Sequence, residues 1–177
     1  VVSGNYATLN PLACGPNFVT AINSGNLKTG DTNIGNYHQT VGSTIAVSTG
    51  KWYWEITLNG TTYNSRSIGI ALNRGLNGAD SNAMWNTTSN LYDFRAIQLL
   101  TSTTVAPVKN IAGTNTTGTT ITLPSTLTGS SVFMVALDVN AGAIWFGLNG
   151  TWLKSATTAE IVAGTTTNAV WADLTSS

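Results

Sequence analysis

The side chains that most often carry out chemistry are scarce and scattered in this sequence of 177 residues. His38 is the only histidine and Cys14 the only cysteine, and the seven carboxylates stand singly, the shortest separation being the 13 positions between residues such as Asp80 and Asp93. A Ser–His–Asp triad would have to include His38, which lies in a Gly- and Asn-rich stretch typical of a loop. A zinc site needs three or four closely spaced ligands. We therefore expect no catalytic site, metal ion or cofactor, although two carboxylates distant in the sequence could still meet in space and hydrolyse a bond.

One polar stretch has the chemistry of a binding site. Trp85 lies there without strand periodicity, and Trp, Tyr and Arg contribute most of the binding energy in protein interfaces. The candidate partner- or glycan-binding loop comprises Arg74, Asn77, Asn82, Trp85, Asn86 and Tyr92. The alternative is that Trp85 packs beneath its own loop and contacts no partner.

The charge pattern limits the kinds of partner. Seven basic and seven acidic residues give a formal net charge of zero, and no run of Lys or Arg occurs. Nucleic-acid binding depends on clustered cations that release counterions, so we expect no nucleic-acid partner. The longest apolar stretch, near residues 132–137, is far shorter than the ~20 residues that cross a bilayer. We expect a soluble protein without membrane insertion.

The elements that must position these side chains are strands. Period-two and short apolar runs, separated by Gly, Asn, Ser and Thr, predict an all-β fold. Within residues 51–58, the alternate positions from Trp52 to Leu58 share one face, which we expect in the core. Residues 67–72 are the expected antiparallel partner of this strand, where Gly69 would let a tryptophan approach closely.

A second strong pattern lies towards the end of the chain. A strongly apolar run and the hairpin signal at residues 149–150 predict a three-stranded meander. Its strands are 132–139, 143–148 and 151–154. In the middle strand Trp145 and Phe146 point to opposite faces, so one of them must point away from the main core. Weaker strands are predicted at residues 6–9, 18–22, 44–47, 94–100, 119–123 and 169–171, and exposed loops at 73–90 and 110–120.

These two units resemble the SPRY domain family in order and spacing. The first matching stretch is GKWYWEI at residues 50–56, followed by IGIA at 68–71. The second is VALDV at residues 135–139, which leads into IWFGLNGTW at 144–152. The opening residues 6–12 look more narrowly like the SPRY-type modules of tailed-phage and other viral structural proteins.

This resemblance, which runs from about Tyr6 to Trp171, implies an antiparallel two-sheet β-sandwich, a SPRY- or concanavalin-like jelly roll. We expect residues 1–177 to form one such domain within a longer chain. Because the family continues with further strands after Trp171, the resemblance implies that residues or a chain not present here complete the sandwich. It implies a protein-binding module and not an enzyme.

In viral relatives the implied role is a tail fibre, an appendage or a capsid decoration. The resemblance thus predicts a non-enzymatic structural and adhesion module on the virion surface, with other virion proteins, a host surface protein or a host glycan as partners. It also predicts a homo-oligomer, which would be a trimer in a fibre. The alternative function is a lectin-like module that recognises host surface glycans through the Trp85 loop. A cellular SPRY adaptor or a hydrolase is the third hypothesis.

Overall fold

A computed structural model of the chain describes residues 7–14, 22–29, 41–60, 66–72, 93–111 and 113–174. Within these ranges the regular structure is antiparallel β, apart from one short helix and a 3₁₀ turn, and the prediction of an all-β fold is confirmed. The strands are β1 (Leu9–Cys14), β2 (Ile22–Asn23), β3 (Lys28–Thr29), β4 (Val41–Ser43), β5 (Lys51–Thr57), β6 (Ser67–Leu72), β7 (Asp93–Leu99), β8 (Thr104–Ile111), β9 (Thr114–Thr117), β10 (Ile121–Thr122), β11 (Val132–Asp138), β12 (Ala143–Leu148) and β13 (Thr151–Trp152). The 3₁₀ turn spans Leu153–Ser155 and the helix, α1, spans Thr158–Ala163.

The chain divides into two compact units. The first comprises residues 1–46 and 73–92, and its described part contains two antiparallel pairs, β1 with β4 and β2 with β3. The second comprises residues 47–72 and 93–177 and contains strands β5 to β13 and helix α1. The expectation of one domain over residues 1–177 stays a prediction.

A four-stranded antiparallel sheet in the second unit has the order β13-β12-β11-β5. The turn between β12 and β13 is built by Asn149 and Gly150, whose φ angles of 49° and 85° suit the right-handed twist of a two-residue hairpin. The side chain of Asn149 also accepts a hydrogen bond from the amide of Val132 at 2.9 Å, so the turn is tied to β11. The meander predicted for the end of the chain is present.

The predicted pairing of β5 with β6 is wrong. β5 pairs with β11 along its whole length, and β6 pairs with β7. Alternation indicates that a segment is a strand and which face it buries, but it does not indicate which other strand it meets. Gly69 lets β6 lie close to β7, since a Cβ atom at this position would overlap the Arg95 carbonyl and Ala96. The predicted contact between Gly69 and a tryptophan is therefore not the reason for the glycine.

The second sheet has the order β10-β8-β7-β6, and β9 also pairs with β8. No strand is predicted at residues 104–111, a range that contains Pro107, which lacks the N–H that a strand ladder uses. The backbone groups of Pro107 point to the side of β8 where β9 and β10 pair, and its carbonyl accepts from the amide of Gly118 there. Gly118 lies between β9 and β10, where strand pairing on this side of β8 is interrupted. The missing N–H of proline therefore costs little. The loop predicted at residues 110–120 is wrong, since this range contains the end of β8 and all of β9, although the four residues of β9 are exposed as predicted.

One buried apolar cluster draws side chains from both of these sheets. The alternate residues Phe133, Val135 and Leu137 of β11 face it, as do residues of β7 and β8 such as Ile97 and Val105. The predicted core face of β5 holds only in part. Trp54 and Ile56 pack against the cluster and Leu58 belongs to it, but Trp52, at the start of the strand, is 44% exposed and donates its Nε1–H to the carbonyl of Thr49.

Candidate functional site

The binding loop predicted from the sequence lies outside the described residues. All six of its members, Arg74, Asn77, Asn82, Trp85, Asn86 and Tyr92, fall between residues 73 and 92. Their role stays a prediction.

A different site is formed on the face of the four-stranded sheet that points away from the core cluster. Residues directly opposite each other on paired strands share a face. Tyr53 on β5 stands opposite Ala136 on β11, which in turn stands opposite Trp145 on β12. Two aromatic side chains are therefore separated by one small residue across three adjacent strands.

The neighbouring row places a third aromatic ring beside a small residue. Here Met134 on β11 stands opposite Gly147 on β12, and Gly147 stands opposite Trp152 on β13. A Cβ atom at Gly147 would come within 3.0 Å of the Trp152 ring, so only glycine lets this ring lie close to the sheet. The sheet thus presents aromatic side chains above small residues.

Helix α1 lies along one side of these rows, and the space between forms a groove with a volume of about 410 Å³. We call it the outer-face groove. It is lined by Lys51, Trp52, Tyr53, Ala136, Leu137, Asp138, Trp145, Trp152, Thr158, Ile161 and Val162. Among the side chains that line it, Tyr53 is 55% exposed and Val162 is 68% exposed. The volume falls within the range of small-molecule binding sites.

The aromatic rings in the groove are held in fixed orientations. Tyr53 and Trp152 meet edge to face, with ring centroids 6.3 Å apart and an interplanar angle of 75°. The indole Nε1–H of Trp152 donates to Thr158 Oγ1 at 3.2 Å, which ties this ring to the first residue of α1. The Tyr53 hydroxyl donates to Glu55 Oε1 at 2.5 Å. Each ring is fixed by a hydrogen bond at its polar end, and the exposed surface of the Tyr53 ring stays open to contact.

The charged part of the groove is an ion pair that also anchors α1. Lys51 and Asp138 are opposite residues of β5 and β11, and Lys51 Nζ lies 2.7 Å from Asp138 Oδ2. The same ammonium donates to the carbonyl of Val162 at 2.9 Å, in the last turn of α1, where carbonyl groups lack partners within the helix. Burial raises the pKa of Asp138, but the hydrogen bonds from Lys51 and from the amide of Ala141 outweigh it, and the net pKa lies below its ordinary value.

Tyr53 is also electrostatically perturbed. Desolvation at the sheet surface, followed by the hydrogen bond to the Glu55 carboxylate and the charge of that carboxylate, raises the pKa of Tyr53 to about 12. The phenol is therefore un-ionised at neutral pH. The groove then contains one positive and one negative charge, which lie in contact.

Trp145 forms part of the floor of the groove, and its indole nitrogen lacks a hydrogen-bond partner among the described residues. Its side chain is 1% exposed and packs with Ala136, Ala143 and Ala169, outside the main core. The sequence correctly placed Trp145 and Phe146 on opposite faces, since Phe146 belongs to the core cluster. It missed the groove, because the signal is a row of residues on separate strands that only the register aligns.

Two further observations concern the described part of the chain alone. In these ranges no three His, Cys, Asp or Glu side chains lie close enough together to hold a metal ion. None of the helical segments found there has the length and apolar character needed to cross a membrane. Comparison with known proteins yields no match for this chain, either to a protein-family model or to a curated protein sequence.

Proposed function

We propose that this protein is a non-enzymatic structural and adhesion module on the surface of a virus particle, which binds another virion protein or a molecule of the host surface. The observation that carries the adhesive role is the outer-face groove. It combines the exposed ring of Tyr53, the fixed ring of Trp152 and a few polar groups on a hydrogen-bonded sheet, and binding sites typically have this composition. The contacting Lys51–Asp138 pair gives it no net charge, so recognition relies on shape and aromatic contact.

The virion context rests on the resemblance of residues 50–56, 68–71 and 135–152 to the SPRY family. We infer from it that the second unit is a concanavalin-like β-sandwich of jelly-roll form. The core cluster shared by the two sheets supports this arrangement, since sheets that pack face to face interdigitate the side chains of their inner faces. In a fibre the module would be a homo-oligomer, and a trimer is the expected state.

The test uses intact particles and the purified chain. Antibodies raised against the chain should label the surface of undisrupted particles in electron micrographs and should block their attachment to host cells. The labelled chain should bind host cells saturably, with an affinity that changes little between low and high salt because its contacts are not ion pairs across the interface. Labelling that appears only after particles are disrupted would contradict the surface location. Turnover of a host polysaccharide by the purified chain would contradict the non-enzymatic role.

A further inference from the structure

We propose that the outer-face groove binds one pyranose ring of a neutral glycan, stacked on the face of Tyr53. This inference rests on the proposed adhesive function and names its ligand. It places the glycan on the face of the four-stranded sheet and not in the loop that contains Trp85.

The first argument is the shape of the groove. The rings of Tyr53 and Trp152 stand at 75° to each other and form a corner, in which one aromatic face and one aromatic edge meet. A pyranose has a flat side made of C–H groups and a rim of hydroxyls. The flat side packs against the Tyr53 face at about 3.5–4.0 Å, the distance of carbon contacts. Ala136, next to Tyr53 in the same row, is 5% exposed and contributes only a small side chain to the floor, so the sugar ring lies against the exposed ring of Tyr53.

The second argument is the set of polar groups around this corner. The carboxylate of Asp138 accepts from Lys51 and from the amides of Ala141 and Asn140, which leaves one of its four acceptor positions. The buried Nε1–H of Trp145 is a donor without an acceptor among the described residues, and leaving a buried donor unsatisfied is destabilising. A hydroxyl group can both donate to a carboxylate and accept from an indole. Both groups are buried, and a ligand hydroxyl that enters the groove deeply enough to reach them would satisfy both, which an apolar ligand would not do.

The third argument separates a glycan from a peptide. Extended peptides that bind to sheets gain affinity from main-chain hydrogen bonds at a free strand edge. Strand β11, which runs beneath the groove, is paired on one side with β5 and on the other with β12. The backbone groups of β11 are engaged in the sheet, so over this strand the groove offers side-chain contacts only, and among the described strands a free edge of the sheet lies on the far side of β5. The neutral charge of the Lys51–Asp138 pair further favours an uncharged saccharide over an acidic or basic segment.

The experiment titrates the whole chain with methyl glycosides of glucose, galactose, mannose and N-acetylglucosamine, observed by NMR, and screens neutral oligosaccharides on a glycan array. Two variants at one position separate the ring from its hydroxyl. Tyr53→Phe keeps the stacking face and should bind about as tightly as the wild type. Tyr53→Ala removes the face and should weaken binding about tenfold or more. Leu100→Ala removes an exposed apolar side chain elsewhere, 37% exposed, and should have no effect. Unchanged circular dichroism of each variant shows that the fold is intact.

The possible results either support the inference or contradict it. Saccharide binding that is lost in Tyr53→Ala and kept in Tyr53→Phe supports the inference. Equal binding by the wild type and by Tyr53→Ala overturns it. Attachment to host cells that survives periodate oxidation of their glycans but is abolished by protease treatment also overturns it, and shows a protein partner while the adhesive function stands. Absence of binding both to cells and to virion proteins would instead refute the proposed function itself.

Discussion

Arg95 and Asp173 are 78 positions apart in the chain, yet Arg95 Nε donates to Asp173 Oδ1 at 2.8 Å. The guanidinium is 1% exposed, and it also donates to the backbone carbonyl of Asp173 and to those of Phe94 and Asn110. A buried guanidinium is stable only when its donors and its charge are satisfied. Arg95 therefore anchors the segment around Asp173 to the five-stranded sheet.

Two further contacts strengthen this anchor. Lys109 Nζ donates to Asp173 Oδ2 at 2.6 Å and lies 4.7 Å from the centroid of the Trp171 ring. The Trp171 backbone carbonyl accepts from Ile144 in the four-stranded sheet, and its indole Nε1–H donates to Ala96 in the five-stranded sheet. Residues 171–173 thus bond to both sheets of the second unit.

The substitution Asp173→Asn should lower the free energy of unfolding by about 2 kcal/mol, because Arg95 stays buried without its counter-charge. Urea denaturation followed by tryptophan fluorescence measures the change. The exposed carboxylate Glu55 offers a control, since the amide oxygen in Glu55→Gln can still accept from the Tyr53 hydroxyl and the change should alter stability by less than about 0.5 kcal/mol. Equal stability of Asp173→Asn and the wild type would show that the ion pair contributes nothing.

The same carboxylate should make the protein sensitive to acid. Burial raises the pKa of Asp173, but the hydrogen bonds and charges of Lys109 and Arg95 outweigh it, so the folded pKa lies below 3.8. A lowered pKa gives stability that is present above the unfolded pKa, near 3.9, and lost as the pH falls through the folded pKa. Unfolding free energies measured from about pH 7 down to pH 2 should decline below pH 4. The decline should be shallower in Asp173→Asn, and an identical slope in both proteins would argue against this cause.

Gly164 at the end of helix α1 and Gly150 in the turn between β12 and β13 offer a matched pair of substitutions. Gly164 has φ +74°, and a Cβ atom there would lie 2.9 Å from Asp138 Oδ2 and 3.1 Å from Lys51 Nζ. Gly150 has φ +85° with open space around it. Alanine at either position meets the left-handed backbone strain, about 1 kcal/mol, and only Gly164→Ala also crowds the ion pair. We expect a larger loss of melting temperature for Gly164→Ala than for Gly150→Ala, and faster amide exchange in residues 158–163. Equal losses of melting temperature in the two variants would mean that the Lys51–Asp138 pair moves aside without any loss of stability.

The phenol of Tyr53 should ionise at a higher pH than that of an ordinary tyrosine. Its pKa is raised to about 12, so the tyrosinate absorbance that Tyr53 contributes should develop about two pH units above that of an ordinary tyrosine. The difference between titrations of the wild type and of Tyr53→Phe isolates this contribution. Glu55→Gln removes the negative charge and should move the pKa back towards 10. Because the folded pKa is raised, the associated stability is present below about pH 10 and is lost as the pH rises towards 12. A Tyr53 contribution that titrates near pH 10 in the wild type would contradict the contact.

The sequence determined those features that depend on neighbours in the chain. Alternation along residues 132–148 specifies two strands and the opposite faces of Trp145 and Phe146, and the Asn149-Gly150 turn joins the next strand at a set register. These features depend on the local sequence, because side chains in a strand alternate with period two and a two-residue turn admits few conformations. The scarcity of charge was also visible directly, although the roles of Arg95 and Asp173 were not.

Only the tertiary structure decided which strands are neighbours. It pairs β5 with β11 instead of β6, admits Pro107 into β8 where the ladder on that side is broken, and wraps residues 158–162 over the sheet. The outer-face groove follows from these pairings, since Tyr53, Ala136 and Trp145 align only in one register. Strand partners far apart in sequence are selected by the burial and hydrogen bonding of the whole fold, which no local pattern encodes.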